Sequence, residues 1–146
     1  MILCQHNTIK MTKRLEIKRI LSWDERISTD IIIPCGETWE IEGTKRSLRN
    51  IDNYMFVGYL KEEAITYTTL HKSKYSCSRF DYILTAKKHR GNGYARELLS
   101  YVVDFCRENK LPTCFQWAGP SEKITYEAGF RVSFEAESGL AKYKHN

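Results

Sequence analysis

The sequence lacks the features of a chain that crosses or passes through a membrane. Its apolar runs, such as Ile31–Ile33 before Pro34, are far too short to span a bilayer. The first residues also lack the charged start, apolar middle and small-residue cleavage site of a secretory signal. We therefore expect a protein that works in the cytoplasm and binds no membrane.

Metal-binding and redox motifs of cysteine are absent as well. The five cysteines are scattered, no CxxC pair exists, and the four histidines are equally dispersed. This spacing predicts neither a zinc knuckle nor a thioredoxin-type redox pair. We expect no metal site, and we interpret the cysteines as small buried hydrophobic residues.

The composition is that of an ordinary globular domain. Hydrophobic residues make up 42 % of the 146 positions and aromatic residues 12 %, which argues against a disordered chain. The length suits one core, because two independent domains would each be small and marginal. We assign residues 1–146 to a single domain and residues 1–11 to an amino-terminal extension, because the patterned sequence begins after them.

Local patterns predict strands and helices in mixed order. Leu15–Ile20 alternates apolar and polar residues, as a half-buried strand does, and Ser22 is placed to cap a short helix before Pro34 ends it. A long amphipathic helix is predicted from Gly93 to Glu108, with Asn109 as its left-handed exit. The predicted strands cover residues 15–20, 54–60, 64–70, 79–86, 113–117, 130–136 and 140–144.

The segment from Ile83 to Leu99 is the most informative of the chain. A strand runs into a basic loop with two glycines one residue apart, and the long helix begins directly afterwards. The first amides of a helix have no partners within it, and the helix dipole favours an anion there. Gly91 and Gly93 let a phosphate approach the backbone, and Arg90 can add a charge-assisted contact.

Two common phosphate loops do not fit this segment. A P-loop needs Lys followed by Ser or Thr after its last glycine, whereas Tyr94 and Ala95 follow Gly93. A Rossmann loop needs a small residue where Arg96 stands, and it belongs to an early parallel βαβ unit. The loop here follows three strands that look like an antiparallel meander, so neither alternative is supported.

The loop resembles the acyl-CoA pyrophosphate loop of the GNAT superfamily of N-acetyltransferases. That pattern is Arg or Gln, two residues, Gly, one residue, then Gly or Ala, and Arg90, Gly93 and Ala95 fill it. A second element also resembles the family, since residues 126–130 form a Tyr-containing segment that ends in Gly-Phe. The resemblance extends over residues 15–144 and includes the order of helices and strands.

The resemblance implies an α+β fold with a mixed, mostly antiparallel central sheet of about seven strands flanked by helices. It implies transfer of an acetyl group from acetyl-CoA, the co-substrate, to a primary amine. Two strands would splay apart to admit the pantetheine arm, which backbone groups of Ile83, Leu84 and Thr85 would bind. The diphosphate would lie on the loop residues, which are Arg90, Gly91, Asn92, Gly93, Tyr94 and Ala95.

The resemblance also implies direct attack by the amine on the thioester, with a base, or a chain of waters, and a general acid. Many members carry the general-acid Tyr four residues before the Gly of Gly-Phe, where this chain has Thr125. Tyr126 follows, and a shift of one residue rotates a side chain by about 100° on a helix. We name Tyr126 as the candidate acid, while Thr125 facing the site or Tyr126 packing in the core stays open.

Asp81 is the candidate base, because alternation along the strand gives it the same face as Ile83. A solvated strand residue without a catalytic role is the alternative.

A non-catalytic acyl-CoA-binding regulatory module is the competing function, and Thr125 favours it. The net charge of +5 suits an anionic ligand, but the chain shows no nucleic-acid recognition element. The acceptor is expected to be a small-molecule or peptide amine, and a homodimer stays open.

Overall fold

The computed structural model describes parts of the chain that together form a helix-covered sheet. The described residues are 9–11, 14–50, 52–71, 78–110, 113–115, 131–134 and 141–145, and their side chains are described for 14–50, 52–71 and 83–110. Within these ranges no helix has both the length and the apolar character needed to cross a bilayer.

Eight strands in the described ranges pair into one sheet. Their spatial order is β1-β2-β3-β4-β5-β6-β8-β7. The β5–β6 pair is parallel and the other pairs are antiparallel, so the sheet is mixed as expected. About seven strands were expected, and the additional one, β1, lies in the predicted extension. The bounds are β1 Ile9–Met11, β2 Glu16–Arg19, β3 Asn53–Leu60, β4 Glu63–His71, β5 Ser78–Thr85, β6 Thr113–Phe115, β7 Arg131–Phe134 and β8 Ala141–His145.

Helices cover both faces of the sheet. Two helices are described, α1 at Glu40–Leu48 and α2 at Tyr94–Glu108. The apolar side of α2 packs on one face, against strand residues such as Phe56 and Ile65. A helical segment at residues 25–35, together with α1, covers the other face. Because both faces are covered, Ala64–Leu70 of β4 is buried without interruption.

The helical segment at residues 25–35 differs from the sequence expectation at both ends. Its first turn is capped by Asp24 rather than Ser22, since Asp24 Oδ1 accepts the N–H of Arg26 at 3.0 Å. The segment is π-helical over Ile27–Ile32 and continues as a 3₁₀ turn through Pro34. The π-helix ends at Ile32, before Pro34, and the proline is tolerated in the first turn of the 3₁₀ helix that follows, where no N–H is needed. Gly36, with φ of 74°, ends it.

The end of α2 also differs from expectation. Asn109 has φ of −98° and is not left-handed. Its side-chain Nδ2 instead donates to the carbonyl of Phe105 at 2.8 Å. The left-handed residue is Lys110, with φ of 55°. The predicted exit is therefore wrong by one position, because Asn109 still donates its backbone N–H to the carbonyl of Phe105 as a helical residue does, at 3.0 Å.

Candidate active site

The central strand β5 is irregular at the position of Asp81. Its register with β4 shifts, so that Thr68 opposes Ile83 while Leu70 opposes Phe80. An advance of two residues along β4 therefore corresponds to an advance of three residues along β5. The extra residue forms a β-bulge at residues 81 and 82. Bulges occur beside active sites, where they re-aim the groups of one strand. The backbone of Asp81 lies at this bulge, and its side chain is outside the described part.

The parallel partner of β5 is described over a short contact at one end of the strand. β6 pairs with β5 from Ser78 to Phe80, and in the described residues this pairing ends there. Among the described residues, the second half of β5 has no strand partner on that side, and we call this its open edge. An extended ligand can add its own hydrogen bonds to such an edge.

The alternation of hydrogen bonds decides which residues face the open edge. The N–H of Ala86 donates to Ile65 of the β4 strand at 2.7 Å. Because antiparallel partners alternate between bonded and non-bonded pairs, Leu84 also turns its backbone groups towards β4. Ile83 and Thr85 turn theirs towards the open edge. Ile83, Leu84 and Thr85 stay predicted contacts of a pantetheine arm, and the backbone groups of Ile83 and Thr85 are the ones that face the open edge.

The loop after β5, residues 86–93, is fixed by local hydrogen bonds, and we call it the glycine loop. A 3₁₀ turn at Lys87–His89 begins it, and the side chain of Asn92 donates to the carbonyl of His89 at 3.0 Å. Gly91 and Gly93 then both adopt left-handed conformations, with φ of 83° and 82°. Side chains are strained in that region, so both positions require glycine. This confirms the geometry that the two glycines predict.

The start of α2 presents free amides. The first backbone bond into the helix runs from the N–H of Glu97 to the carbonyl of Gly93 at 3.1 Å. Among the described residues, the amides of Tyr94 and Ala95 have no backbone acceptor. A side chain built at Gly91 would meet nothing within 4 Å, so the approach to the loop is open there. The arrangement can bind an anion.

Arg90 lies at this loop, but its guanidinium points to the end of β5. Nε donates to the carbonyl of Thr85 at 3.1 Å, and Nη2 contacts Sγ of Cys35 at 3.2 Å. The sequence predicts a contact between this guanidinium and a phosphate. That contact stays a prediction, because the two described contacts are with other residues. Cys35 was not predicted at the site, because it is 55 positions away in the sequence.

Arg14 is a site neighbour that sequence reasoning missed. Its Nη2 lies 3.4 Å from the position that a Cβ on Gly93 would take, with Nη1 of Arg96 at 3.8 Å. Its guanidinium also stacks on the ring of Tyr94, at 4.4 Å from the ring centroid. The only sequence signal was a local Lys-Arg pair at residues 13 and 14, which gives no indication of the loop it approaches.

A small cavity lies between the helical segment at residues 25–35 and the start of the loop. It measures about 320 Å³ and is within the size range of small-molecule sites. Its wall combines one carboxylate with two lysines, and its lining residues are Thr29, Asp30, Pro34, Lys87 and Lys88. Lys88 also donates to Glu63 at 2.8 Å. This hydrogen bond lowers the pKa of Glu63, against the effect of burial and with a further contribution from His89.

The two candidate acid positions cannot be placed in this geometry. Tyr126 and Thr125 lie outside the described residues, as does the Gly-Phe segment that follows them. Their roles stay predictions. The described part of the site is thus the open edge of β5, the glycine loop and the start of α2.

The sequence resemblance implied a mixed α+β sheet flanked by helices. The described residues form such a sheet, whose central strand β5 runs into a glycine-containing loop and the start of α2. The model of the acetyltransferase (GNAT) family matches residues 17–128. The chain belongs to this family, whose acyl donor is acetyl-CoA. A search of curated protein sequences finds no match.

Solved structures share the fold at low sequence identity. A GNAT family acetyltransferase from Elizabethkingia anophelis with acetyl-CoA bound has a TM-score of 0.68 and 11 % identity, over 92 % of this chain and 99 % of that one. A Bacillus subtilis acetyltransferase in complex with CoA has a TM-score of 0.66 and 8 % identity, over 90 % and 98 %. A GNAT family acetyltransferase from Staphylococcus aureus Mu50 has a TM-score of 0.63 and 14 % identity, over 89 % and 98 %.

Proposed function

We propose that this protein transfers an acetyl group from acetyl-CoA to a primary amine by direct attack in a ternary complex. One observation carries the proposal: the open edge of β5 leads into a loop whose glycines expose the amides at the start of α2. An elongated thioester with a diphosphate needs both features. The edge binds its extended arm, and the helix start binds its anionic end.

The proposed binding mode divides the co-substrate between these two features. The diphosphate contacts amides of the loop from Gly91 to Ala95, and Arg90 adds positive charge at its border. The pantetheine arm bonds to the backbone of Ile83 and Thr85, whose groups face the open edge. The thioester then lies towards the bulge at residues 81 and 82.

The proposed chemistry needs a base, an oxyanion donor and an acid. The acceptor loses its ammonium proton to Asp81 or to a chain of waters, and its nitrogen attacks the thioester carbonyl. A backbone amide of β5 stabilises the negative oxygen that forms. The C–S bond then breaks, Tyr126 donates its proton to the departing thiolate, and the second proton lost by the amine nitrogen, as it becomes an amide, restores the Tyr126 hydroxyl. Products are the N-acetylated amine and CoA.

The whole chain, residues 1–146, is proposed to act as one such domain in the cytoplasm. Its acceptor is a small-molecule or peptide amine rather than a nucleic acid. Assembly as a homodimer is compatible with this proposal and is not required by it.

Thiol release from acetyl-CoA with a panel of amines tests the function. The wild type should release CoA with at least one amine. Tyr126→Phe should lower kcat about 100-fold, since an acid is worth at least that much, and it should leave the Kd for CoA unchanged. Tyr54→Phe removes a hydroxyl from a ring that packs on Phe105, away from the loop, and is the matched control. An unaltered rate in Tyr126→Phe removes Tyr126 from the mechanism.

The second candidate is a module that binds acyl-CoA without turning it over. Thr125 favours it, because it occupies the position where many family members have the acidic Tyr. This candidate predicts that CoA binds in calorimetry while every amine of the panel fails to release thiol. Release that depends on one amine excludes it.

A further inference from the structure

Arg14 lies where the chain enters the sheet, directly beside the start of α2. It precedes β2 by two residues and is separated from Glu97 by 83 positions in the sequence. Strand β2 begins at the same end of the sheet at which β5 ends, because β2 and β3, β3 and β4, and β4 and β5 are each antiparallel. The fold thereby brings Arg14 to the glycine loop.

Glu97 holds Arg14 in place. The Glu97 side chain is only 10 % exposed and accepts three hydrogen bonds from the incoming chain. Oε1 accepts the N–H groups of Arg14 and Leu15 at 2.6 and 2.9 Å, and Oε2 accepts Nε of Arg14 at 3.0 Å. Two of the three bonds go to the backbone, so they fix the position of residue 14 whatever its side chain is.

The outer end of the Arg14 guanidinium faces the loop. The carboxylate of Glu97 accepts the hydrogen bond from Nε of Arg14, and the guanidinium stacks on the ring of Tyr94. Nη1 and Nη2 donate no hydrogen bond to any residue in the described ranges, while Nη2 lies beside Gly93. The side chain is 42 % exposed, so a ligand can reach these two nitrogens.

We propose that Arg14 binds the diphosphate of the acyl-CoA co-substrate, together with the amides of the glycine loop. The inference rests on the proposed function. An arginine offers two N–H groups in a plane that matches two phosphate oxygens. Arg90, which the sequence pattern nominates for this contact, directs its guanidinium to Thr85 and Cys35 instead. The diphosphate is assigned rather than the 3′-phosphate because Nη2 adjoins Gly93, whose loop amides take the same group.

The test compares CoA with 3′-dephospho-CoA in calorimetry. Both ligands carry the diphosphate, so Arg14→Ala should raise both Kd values by a similar factor, about tenfold for one charge-assisted contact. Arg14→Lys keeps the charge but loses the planar fork, so its Kd values should lie between those of the wild type and Arg14→Ala. Arg107→Ala is the control, because it removes the same charge from α2 roughly 20 Å away and should leave both Kd values unchanged.

Each outcome decides a separate point. Unchanged Kd values in Arg14→Ala, with the wild type binding, overturn the role of Arg14 and leave the proposed function standing. A loss confined to CoA overturns the assignment to the diphosphate. A wild type that does not bind CoA at all removes the proposed function, and this inference with it. Far-UV circular dichroism checks that Arg14→Ala remains folded, as its backbone bonds to Glu97 predict.

Discussion

Glycines of this chain have opposite effects on stability, depending on their backbone conformation. Gly93 has φ of 82°, and a Cβ there would lie 3.4 Å from Nη2 of Arg14. Gly43 lies inside α1, and a Cβ there would meet nothing within 4 Å. The first position requires glycine, whereas the second merely tolerates it, because glycine weakens the interior of a helix.

Gly93→Ala should therefore lower the free energy of unfolding by about 1–2 kcal/mol, the cost of a left-handed residue with a side chain. It should also weaken CoA binding, since a side chain is strained at φ of 82° and relief of that strain moves the loop. Gly43→Ala, the matched control, should raise the free energy of unfolding by roughly 0.5–1 kcal/mol. Urea denaturation measures both. Equal effects in the two variants would contradict the assigned conformations.

At the scale of elements, local sequence gives the body of a helix better than its ends. The apolar spacing of Leu98, Leu99, Val102 and Cys106 predicts α2, and all four are buried in it. Its exit depended on whether Asn109 used its backbone or its side chain to satisfy the last carbonyls. Asn109 uses both, since its N–H and its side chain each donate to the carbonyl of Phe105, and Lys110 takes the left-handed conformation.

This exit gives a prediction that separates the two neighbouring positions. Lys110→Gly should raise the free energy of unfolding by about 1 kcal/mol, because glycine adopts φ of 55° without a steric cost. Asn109→Gly should lower it by a similar amount, since it loses the side-chain bond and loosens the last turn. Thermal or urea unfolding measures the free energy of unfolding of both variants. The reverse order would support Asn109 as the left-handed residue.

At the scale of the whole molecule, buried and half-buried carboxylates join separate layers. Asp24 connects the helical segment at residues 25–35 to the sheet, because Oδ2 accepts the hydroxyl of Tyr59 at 2.8 Å and the guanidinium of Arg26 at the same distance. Burial raises the pKa of Asp24, but the hydrogen bonds from Arg26 and Tyr59 outweigh it, so the pKa lies below its usual value. The pKa of Tyr59 is raised by burial and by this carboxylate.

The direction of the Asp24 shift fixes the pH dependence of stability. A carboxyl group with a lowered pKa in the folded state stabilises the protein above its unfolded pKa of about 4, and this stabilisation is lost as the pH falls through the folded value. Asp24→Asn should therefore reduce the difference in unfolding free energy between pH 7 and pH 3 by about 1 kcal/mol. Urea titrations at both pH values measure it.

Asp52→Asn is the control for that experiment. Asp52 is exposed, and within the described part of the chain its carboxylate accepts no hydrogen bond. The substitution should leave the difference between pH 7 and pH 3 close to that of the wild type. If Asp24→Asn behaves like Asp52→Asn, the contacts of Asp24 do not contribute to the pH dependence.

The sequence by itself determined the strands other than β1, the long helix α2 and the unusual torsions of the two loop glycines. These features depend on neighbouring residues: the period of apolar side chains sets a strand or helix, and glycine permits the left-handed torsions of Gly91 and Gly93. The family resemblance also needed only short motifs.

The tertiary structure decided which groups meet at the site. The bulge beside Asp81 and the turning of Leu84 towards β4 depend on strand register, which a single strand does not contain. The contacts of Arg14 with Glu97 and of Arg90 with Cys35 join residues 83 and 55 positions apart. Such contacts follow from the packing of whole layers, because no local pattern records which distant side chain a turn or helix start will face.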